Sequence, residues 1–552
     1  MKLKIISSLE KCFLDENILQ KNEYQKASML KNEIFHLGIC YQLDRTDERV
    51  RAAFNMRITS PLKEFIKVNK VCHVPVHMPV FKRSYDGNYL RTTPGLYPDL
   101  LVPMASDCRM VVSDTLQSLF IELAPHCRAE AGVYPITVEF FAEDGTLDAR
   151  AEFEIEIIDA LLPKQKLINT QWFHCDCLQV YYGTEAFDER HWQIIENFMA
   201  TAVKNGMNMI LTPIFTPPLD TEIGGERPTT QLVDITVTDD GYTFGFENLG
   251  RGIDLCDKVG IEYLEIAHFF TQWGAQHAPK IVAKVDGQTK KIFGWETDSC
   301  SEEYAGFLRA LIPAMLDYLK AHNGADRRCW FHISDEPKPE HLEQYNRARK
   351  IVAPLLEGYP IIDALSNYEF YEQGVVEHPV PSSNHIEPFL ENNVPDLWTY
   401  YCCGQGVKVS NRFIAMPSAR TRVMGLQMFK YNIAGFLQWG YNFYYNQRSH
   451  APIDPYLCTD GEYFGQAGDE FSVYPAPDGR AYESIRLPVF SDGLQDMRAM
   501  EKCAELCGRD RVIAMIDEGI EPVTFKEYPH DSRWLLNLRE RVNMAIKEAV
   551  SK

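Results

Sequence analysis

The feature that most constrains the fold is a repeated alternation of short apolar runs and amphipathic helical patterns in the last two-thirds of the chain. Apolar runs bounded by turn residues predict strands, and apolar residues at helical spacing predict the helices between them. Parallel strands need helix-length crossovers, so this alternation favours a parallel sheet. The predicted strands are Leu167–His174, Met207–Thr212, Ile261–Ala267, Cys329–Ser334, Pro360–Leu365, His378–Ser382, Leu397–Cys402 and Ala434–Trp439.

Eight strands with helices between several of them match a (β/α)8 barrel of TIM type with long loops after the strands. An open, doubly wound sheet is the rival architecture. Neither a G-x-G-x-x-G nor a G-x-x-x-x-G-K-[S/T] phosphate loop follows any predicted strand, which favours the barrel. One predicted helix begins near Ser299, which with Glu302 has the spacing of a capping box, and ends before Gly324.

The first 160 residues have a β pattern instead. Ile136, Val138 and Phe140 alternate with polar neighbours, a turn follows at Asp144-Gly145, and the alternation resumes at Phe153. This predicts a hairpin with one buried face in a β-sandwich. The predicted organisation is a sandwich over 1–160, a linker over 161–166, a catalytic barrel over 167–500 and a helical extension packed on the barrel over 501–552.

Composition excludes several classes of partner. The chain has 552 residues and a formal net charge of −21, which speaks against nucleic acid and against an anionic membrane surface. No apolar run approaches the length of about 20 residues that spans a bilayer, and the N-terminal run is too short for a signal peptide. The 15 scattered cysteines then suggest reduced thiols in a cytoplasmic protein without a cofactor or a metal site.

Catalytic groups of a barrel gather at the carboxyl ends of its strands. There the sequence places indole and phenol rings beside carboxylates and amides, a combination that suits a sugar, because rings cover its C–H faces and polar groups bind its hydroxyls. Each ring would equally suit core packing. The adjacent acids Asp335 and Glu336, in "FHISDEPKPE" at 331–340, would also suit a solvated pair near a helix N-terminus.

The sequence resembles glycoside hydrolase family 123, the retaining β-N-acetylgalactosaminidases. The resemblance lies in "QWFHCD" (171–176), "HFFTQWGAQHAPKI" (268–281), "HISDEP" (332–337), "LQWGYNFYY" (437–445) and the segment 468–500. It implies a β-sandwich followed by a barrel, and hydrolysis assisted by the substrate's own 2-acetamido group. Carried onto this chain, it makes Glu336 the general acid/base, protonated at the start. Asp335 becomes the ionised residue that orients the acetamide.

The expected substrate is an oligosaccharide with a terminal β-linked N-acetylgalactosamine, such as a glycosphingolipid glycan. The residues expected to form the sugar pocket are His174, Asp176, His268, Trp273, Tyr401, Trp439 and Asn442. Tyr401 is chosen over Tyr400, because neighbours on a strand face opposite ways. The alternatives are an N-acetylglucosaminidase with the same mechanism, a noncatalytic carbohydrate-binding barrel and a metal-dependent barrel hydrolase. The sequence leaves the oligomeric state open.

Overall fold

The computed structural model describes residues 1–44 and 50–551. Its N-terminal part is rich in strands, which alternate between buried and exposed side chains where one face is covered. In chain order they are β1 (Lys2–Ser7), β2 (Lys26–Leu30), β3 (Phe35–Gln42), β4 (Arg51–Thr59), β5 (Ile66–Val76), β6 (Gly95–Met104), β7 (Cys108–Ser113), β8 (Gln117–Leu123), β9 (Gly132–Ala142) and β10 (Leu147–Ile158).

These strands form two five-stranded sheets, in the orders β1-β3-β8-β5-β6 and β2-β10-β9-β4-β7. Their pairings are antiparallel except between β10 and β2. Buried side chains from both sheets, such as Ile39 and Ile121 of the first and Ile136 and Phe153 of the second, share one apolar core. The predicted hairpin is confirmed: Ile136 pairs with Phe153, and Gly145 adopts the positive φ of +86° that its turn requires.

The rest of the chain is mixed α/β. Its strands are β11 (Ile168–Gln171), β12 (Met209–Thr212), β13 (Asp234–Thr238), β14 (Gly241–Gly245), β15 (Tyr263–Ile266), β16 (Ile281–Val285), β17 (Gln288–Phe293), β18 (Cys329–Trp330), β19 (Ile362–Ala364), β20 (His378–Val380), β21 (Trp398–Tyr400), β22 (Gly435–Gln438), β23 (Val473–Pro475) and β24 (Ala481–Glu483). Its helices are α1 (Cys175–Tyr182), α2 (Glu189–Lys204), α3 (Glu247–Val259), α4 (Glu302–Ala321), α5 (Leu342–Val352), α6 (Glu369–Glu372), α7 (Glu387–Glu391), α8 (Ser418–Lys430), α9 (Arg486–Cys507), α10 (Arg509–Ile516) and α11 (Ser532–Val550).

A six-stranded parallel sheet in the order β18-β15-β12-β11-β22-β21 forms a half-barrel. Strands β19 and β20 form a separate parallel pair. Two isolated parallel bridges, Phe331 with Ile361 and Ser382 with Tyr400, lie between this pair and the edges of the larger sheet. Each of the eight predicted strand positions contains one of these parallel strands, although β18 is only two residues long.

Some details differ from the sequence-based expectations. Helix α4 is capped by Ser301, whose side chain accepts a hydrogen bond from the Tyr304 N–H, whereas Ser299 donates to the Ala275 carbonyl. The expected boundary after residue 500 falls inside α9. A four-stranded sheet in the order β14-β13-β16-β17, built in the loops after β12 and β15, was not predicted.

The two parts of the molecule are joined by buried polar contacts. Asp99 on β6 forms a bidentate ion pair with Arg486 at the start of α9, at 2.8 and 2.9 Å, and also accepts a hydrogen bond from the Tyr474 hydroxyl. Lys11 donates to the carbonyls of Ile414 and Met416. A buried charge is tolerated only when it is paired and hydrogen-bonded, so these contacts define the relative position of the two parts.

None of the helices in the described segments combines the length and the apolar character that crossing a bilayer requires.

Candidate active site

A cavity of about 250 Å³ lies at the carboxyl ends of the half-barrel strands. Trp172 follows β11, Trp439 follows β22, and Tyr400 ends β21, so the parallel strands bring together side chains that are far apart in sequence. The lining residues are Trp172, His174, Leu219, Asp220, Gln272, Trp273, Asp335, Glu336, Ala364, Tyr400, Cys402, Cys403, Leu437, Trp439, Phe443, Gln447, Arg448 and Phe464.

The adjacent acids Asp335 and Glu336 both line this cavity. Strand β18 has already ended before them, so strict alternation of side chains does not apply. Glu336 has a φ of +45° and precedes Pro337, a combination that L-residues rarely adopt and that costs about 1–3 kcal/mol. The Glu336 N–H donates to the Ala364 carbonyl at 3.1 Å, and the Trp273 N–H donates to the Asp335 carbonyl at 3.0 Å. This strained turn lets both carboxyls reach one space.

The sequence-based expectation gives Asp335 the ionised role at the start of the reaction, and the surroundings of its carboxyl act on that protonation. Burial raises the pKa of the Asp335 carboxyl well above its usual value, and the neighbouring Glu336 carboxylate raises it further. The charge of His332 opposes these effects. The surroundings of Asp335 therefore favour its neutral form.

Tyr400, and not Tyr401, lines the cavity. The Tyr400 hydroxyl donates a hydrogen bond of 2.7 Å to Glu336 Oε1. Tyr401 lies on the opposite face of the strand, where its buried ring packs edge-on against Phe436 at 4.9 Å between centroids. The expectation that Tyr401 contributes the phenol of the pocket is thus not met, because the register of β21 turns the earlier tyrosine inward.

His174 lies in the cavity wall as expected, whereas Asp176 and Asn442 lie behind it. The Asn442 side chain accepts from the His174 backbone N–H and donates to its carbonyl. Asp176 forms a buried bidentate ion pair with Arg227, with both distances 2.7 Å, and Arg227 donates to His174 Nδ1. His174 Nε2 donates to the Trp439 carbonyl. Burial and the charge of Arg227 lower the pKa of His174 to about 4, so the ring is neutral and fixed in one tautomer.

The aromatic walls are also held in place. Trp439 Nε1 donates to Asp469 at 2.9 Å, and its ring packs edge-on against Phe443 and Phe464, which line the same cavity. Burial raises the pKa of Asp469 to about 6, although the bond from Trp439 opposes the shift. Trp273, 37% exposed and with a φ of +58°, lies at the mouth. Several flat rings around a small space suit the C–H faces of a sugar.

The lining includes polar residues that were not among those proposed for the pocket, and Gln272, Asp220 and Arg448 are three of them. The Gln272 side chain accepts from the Asp220 N–H at 2.7 Å, and its buried Nε2 has no partner among the described residues. The Asp220 carboxylate accepts from the Arg448 N–H at 2.9 Å. Burial raises the pKa of Asp220 to about 6, despite this bond. Asp220 and Arg448 lie in long loops, so a prediction based on strand ends does not identify them. Gln272, in contrast, follows a predicted strand.

A buried ion network centred on His332 includes two carboxylates that raise the pKa of Asp335. His332 Nε2 contacts Glu265 at 2.7 Å, and its Nδ1 contacts Asp363 at 3.3 Å. Burial alone would lower the pKa of His332, but the two carboxylates outweigh it and raise the pKa to about 9. Trp172 Nε1 donates to Glu265 as well, so a ring of the cavity wall is held by this network. His332 is therefore an imidazolium ion between the carboxylates of Glu265 and Asp363.

His268, expected in the sugar pocket, is instead fully buried beside this network. Its ring stacks on His332 at 4.1 Å between centroids and meets Trp172 edge-on at 5.3 Å. With Asp363, these two histidines bring their ligand atoms within 4.8 Å of one another. Stacked rings hold their lone pairs in parallel planes, however, and a metal needs them to converge. Since both nitrogens of His332 already contact carboxylates, the cluster fits an ion network better than a metal site.

Residues 172–503 match a family model described as "Glycoside hydrolase 123, catalytic domain". No curated protein matches the sequence. Among solved structures, a family 123 glycoside hydrolase from Clostridium perfringens, studied for glycolipid glycan hydrolysis, has a TM-score of 0.75 at 13% identity and covers 100% of this chain and 99% of its own.

Two further structures share much less. A β-glucuronidase from Parabacteroides merdae has a TM-score of 0.32 at 10% identity, covering 85% of this chain and 51% of its own. An endo-β-1,4-mannanase from Thermotoga petrophila has a TM-score of 0.34 at 12% identity, covering 61% and 78%. Both TM-scores are too low to relate this chain to these two enzymes. The family match spans more than half of the chain and contains the adjacent acids Asp335 and Glu336, and on this ground the chain belongs to glycoside hydrolase family 123.

Proposed function

We propose that this glycoside hydrolase releases terminal β-linked N-acetylgalactosamine from glycans such as glycosphingolipid oligosaccharides, with retention of configuration. The observation that carries the proposal is that Asp335 and Glu336, neighbours in sequence, line the same cavity. A retaining enzyme with two acting carboxylates holds them about 5 Å apart across the scissile bond. Neighbouring residues are poorly suited to that arrangement. They suit a reaction in which the acetamide of the substrate is the nucleophile, an accepted exception to the two-carboxylate rule.

In the proposed first step, the acetamide oxygen attacks C1 and the bond to the leaving oxygen breaks. Glu336 donates its proton to that oxygen, and Asp335 accepts the acetamide N–H and stabilises the positive charge of the oxazolinium ring. In the second step, Glu336 takes a proton from water as the water attacks C1. The ring then opens and the acetamide is restored. Two inversions at C1 give net retention.

Substrate binding also accounts for the protonation of the pair. Burial favours the neutral form of Asp335. An acetamide N–H donated to its carboxylate favours the ionised form instead, and a bound sugar displaces water around both groups. The proton shared by the pair then belongs on Glu336, next to the leaving oxygen.

The sugar ring would be enclosed by Trp172, Trp273 and Trp439. Gln272 Nε2 is a buried donor without a partner among the described residues, and Asp220 is an acceptor beside it. Together they suit a pair of sugar hydroxyls, because a buried polar group is stable only when paired. An N-acetylglucosamine substrate, which differs in the orientation of the 4-hydroxyl, is the second candidate.

The proposed scaffold is a closed (β/α)8 barrel in which β19 and β20 complete the half-barrel sheet. The parallel bridges from Phe331 to Ile361 and from Ser382 to Tyr400 support closure. The two N-terminal sheets, with the core that they share, support a β-sandwich over residues 1–160. The short segment 161–166 remains the proposed connection between them, and the site lies at the carboxyl ends of the strands, as in barrel enzymes.

The test is a panel of aryl β-glycosides of N-acetylgalactosamine, N-acetylglucosamine, galactose and glucose, with the anomer of the first product identified by NMR. We expect hydrolysis of the N-acetylgalactosaminide, release of the β-anomer and little activity on galactosides that lack the acetamide. Asp335→Asn should be severely impaired on every substrate. Efficient hydrolysis of the plain galactoside would contradict the assisted mechanism.

A second measurement addresses the nucleophile directly. Replacing the acetyl hydrogens of the substrate by one, two and three fluorine atoms withdraws electrons from the acetamide oxygen. Attack by this oxygen predicts a kcat that decreases with each fluorine, whereas attack by an enzyme carboxylate predicts little dependence.

A further inference from the structure

Two adjacent cysteines, Cys402 and Cys403, line the active-site cavity, and the proposed mechanism uses neither of them. No other cysteine of the described chain is among the lining residues. Both side chains are half-buried, and both are free thiols. The Cys402 thiol lies within hydrogen-bonding reach of the Cys403 thiol. The cavity wall therefore contains two neighbouring sulfur atoms that a small molecule in the cavity can reach.

The backbone holds this thiol pair in a fixed turn beside the aromatic wall. The Cys402 N–H donates to Gln405 Oε1 at 2.8 Å, and the Cys402 carbonyl accepts from the Gln405 N–H at 3.2 Å. The Cys403 N–H donates to Asp469, the carboxylate that also accepts from Trp439 Nε1. Because the turn is already ordered, a ligand that bonds to both sulfurs loses little free energy in arranging them.

The surroundings of the thiol pair disfavour both a zinc site and a disulfide bond. A structural zinc ion takes four ligands, and among the described residues no further histidine, cysteine or carboxylate lies at metal-binding distance from the two thiols. A disulfide needs its sulfurs about 2.05 Å apart and usually joins Cα atoms that are about 4.4–6.8 Å apart, whereas neighbours in sequence are separated by about 3.8 Å. The pair therefore suits a ligand that takes two sulfurs without joining them to each other.

Trivalent arsenic meets this requirement, because it is a soft centre that bonds to two separate sulfur atoms. We propose that Cys402 and Cys403 form a dithiol site for trivalent aryl arsenicals, and that a ligand bound there blocks the active-site cavity. In the reaction with an aryl arsenous acid, two S–H bonds and two As–O bonds break and two As–S bonds form. Each thiol proton leaves with a hydroxide as water. Arsenic stays trivalent, so the step needs no oxidant or reductant.

The environment favours an aryl arsenical over an alkylating reagent. The hydrogen bond with Cys403 and burial raise the pKa of the Cys402 thiol well above its usual value. A protonated thiol is a poor nucleophile towards an alkylating reagent, whereas the hydroxide of an arsenous acid removes the proton as the As–S bond forms. The aryl ring can pack against the flat side chains of Trp439, Phe443 and Phe464, which line the same cavity.

The test uses phenylarsine oxide. Intact-protein mass spectrometry measures its binding, and hydrolysis of an aryl β-N-acetylgalactosaminide measures its effect. One molar equivalent should add a single phenylarsenic group and remove most of the activity. Cys402→Ser and Cys403→Ser should each weaken binding and inhibition by about 100-fold or more, because linking two contacts raises avidity by roughly 10²–10⁴-fold. Dithiothreitol should restore activity, whereas mercaptoethanol at the same thiol concentration should not, because only a dithiol replaces both As–S bonds in one molecule.

The matched control is Cys507→Ser. Cys503 and Cys507 also bring their thiols together, but they lie on α9 and do not line the cavity. This variant should bind phenylarsine oxide and be inhibited by it like the unaltered enzyme. Full sensitivity of Cys402→Ser and Cys403→Ser, or complete reversal by mercaptoethanol, would overturn the dithiol site. The mass measurement needs no substrate, so binding that depends on both cysteines would support the site even if no glycoside were hydrolysed and the proposed function failed.

Discussion

The hydroxyl of Tyr400 donates a 2.7 Å hydrogen bond to Oε1 of Glu336 and so holds that carboxyl in the cavity wall. The Ser366 hydroxyl also contacts Tyr400, and it bonds to Ser382 at 2.8 Å. The carboxyl is thus positioned by a chain of side chains from three strand ends. Such support matters because a misplacement of about 1 Å can reduce a rate by roughly a hundredfold.

Tyr400→Phe should therefore reduce kcat while leaving the fold intact. A hydrogen bond to a charged group contributes about 1.5–3 kcal/mol, which corresponds to a loss of roughly ten- to a hundredfold. Tyr401→Phe is the matched control, since its ring packs on Phe436 outside the cavity, and its kcat should be within twofold of the unaltered enzyme. Steady-state kinetics on a disaccharide with a terminal β-linked N-acetylgalactosamine provide the measurement. A larger loss for Tyr401→Phe than for Tyr400→Phe would contradict the assignment.

The effect of Glu336→Gln should depend on the leaving group. A good leaving group departs without a proton, so a dinitrophenyl glycoside should be hydrolysed with only a modest loss. A disaccharide has a poor leaving group that must receive a proton, so its kcat/KM should fall by about 10²–10⁴-fold. Rates on a series of aryl glycosides of increasing phenol pKa measure this difference as a steeper slope for the variant. An equal loss across the series would argue against the acid role.

The acidic limb of the pH–rate profile should report Asp335. This residue must be ionised to accept the acetamide N–H, and burial raises its pKa well above its usual value. The kcat/KM should therefore fall with decreasing pH well above the usual range for an aspartate. Since the Glu336 carboxylate is the second cause of the shift, Glu336→Gln should move this limb to lower pH. A limb that stays in place in Glu336→Gln would show that the two groups do not interact.

Regular elements and the position of the acidic pair were accessible from sequence, because periodicity and strand ends are local signals. The eight parallel strand positions were found, and Asp335, Glu336, His174, Trp273 and Trp439 meet in one cavity. Asp176 and Asn442, predicted in the sugar pocket, do not line the cavity but hold Arg227 and His174 in place.

The rest of the site depends on features that a single sequence does not display. The choice between Tyr400 and Tyr401 depends on the register of a three-residue strand, in which a shift by one position reverses every side chain. The positive φ of Glu336 arises from tertiary contacts, and proline at the next position gives no indication of it. Asp220 reaches the cavity through a long loop, and the path of such a loop depends on packing and not on periodicity.

Asp220 offers a test of the nucleophile from the enzyme's side. It is the other carboxylate among the lining residues, and in a two-carboxylate mechanism it would be the natural nucleophile. In the assisted mechanism, Asp220 instead binds a sugar hydroxyl. Asp220→Asn should therefore raise KM by about tenfold and retain most of kcat, since a single hydrogen bond is altered. Loss of kcat by several orders of magnitude, rescued by azide with inversion to an α-glycosyl azide, would make Asp220 the nucleophile.

The His332 network predicts a pH-dependent contribution to stability. The pKa of this imidazole is about 9 in the folded protein and 6.5 when unperturbed, so folding favours its protonated form. The resulting contribution is complete below pH 6.5 and is lost as the pH rises to about 9. Its size is on the order of 3 kcal/mol, because each tenfold gain in proton affinity on folding contributes about 1.4 kcal/mol.

Urea unfolding at pH 6, 7.5 and 9 measures this contribution to stability, with His332→Gln as the control that removes the titrating group. We expect the difference in unfolding free energy between the enzyme and the variant to shrink by most of this amount across the series. If this difference does not change with pH, His332 is neutral between Glu265 and Asp363. One of the acids would then hold the proton, and the assignment of a charged imidazole would be wrong.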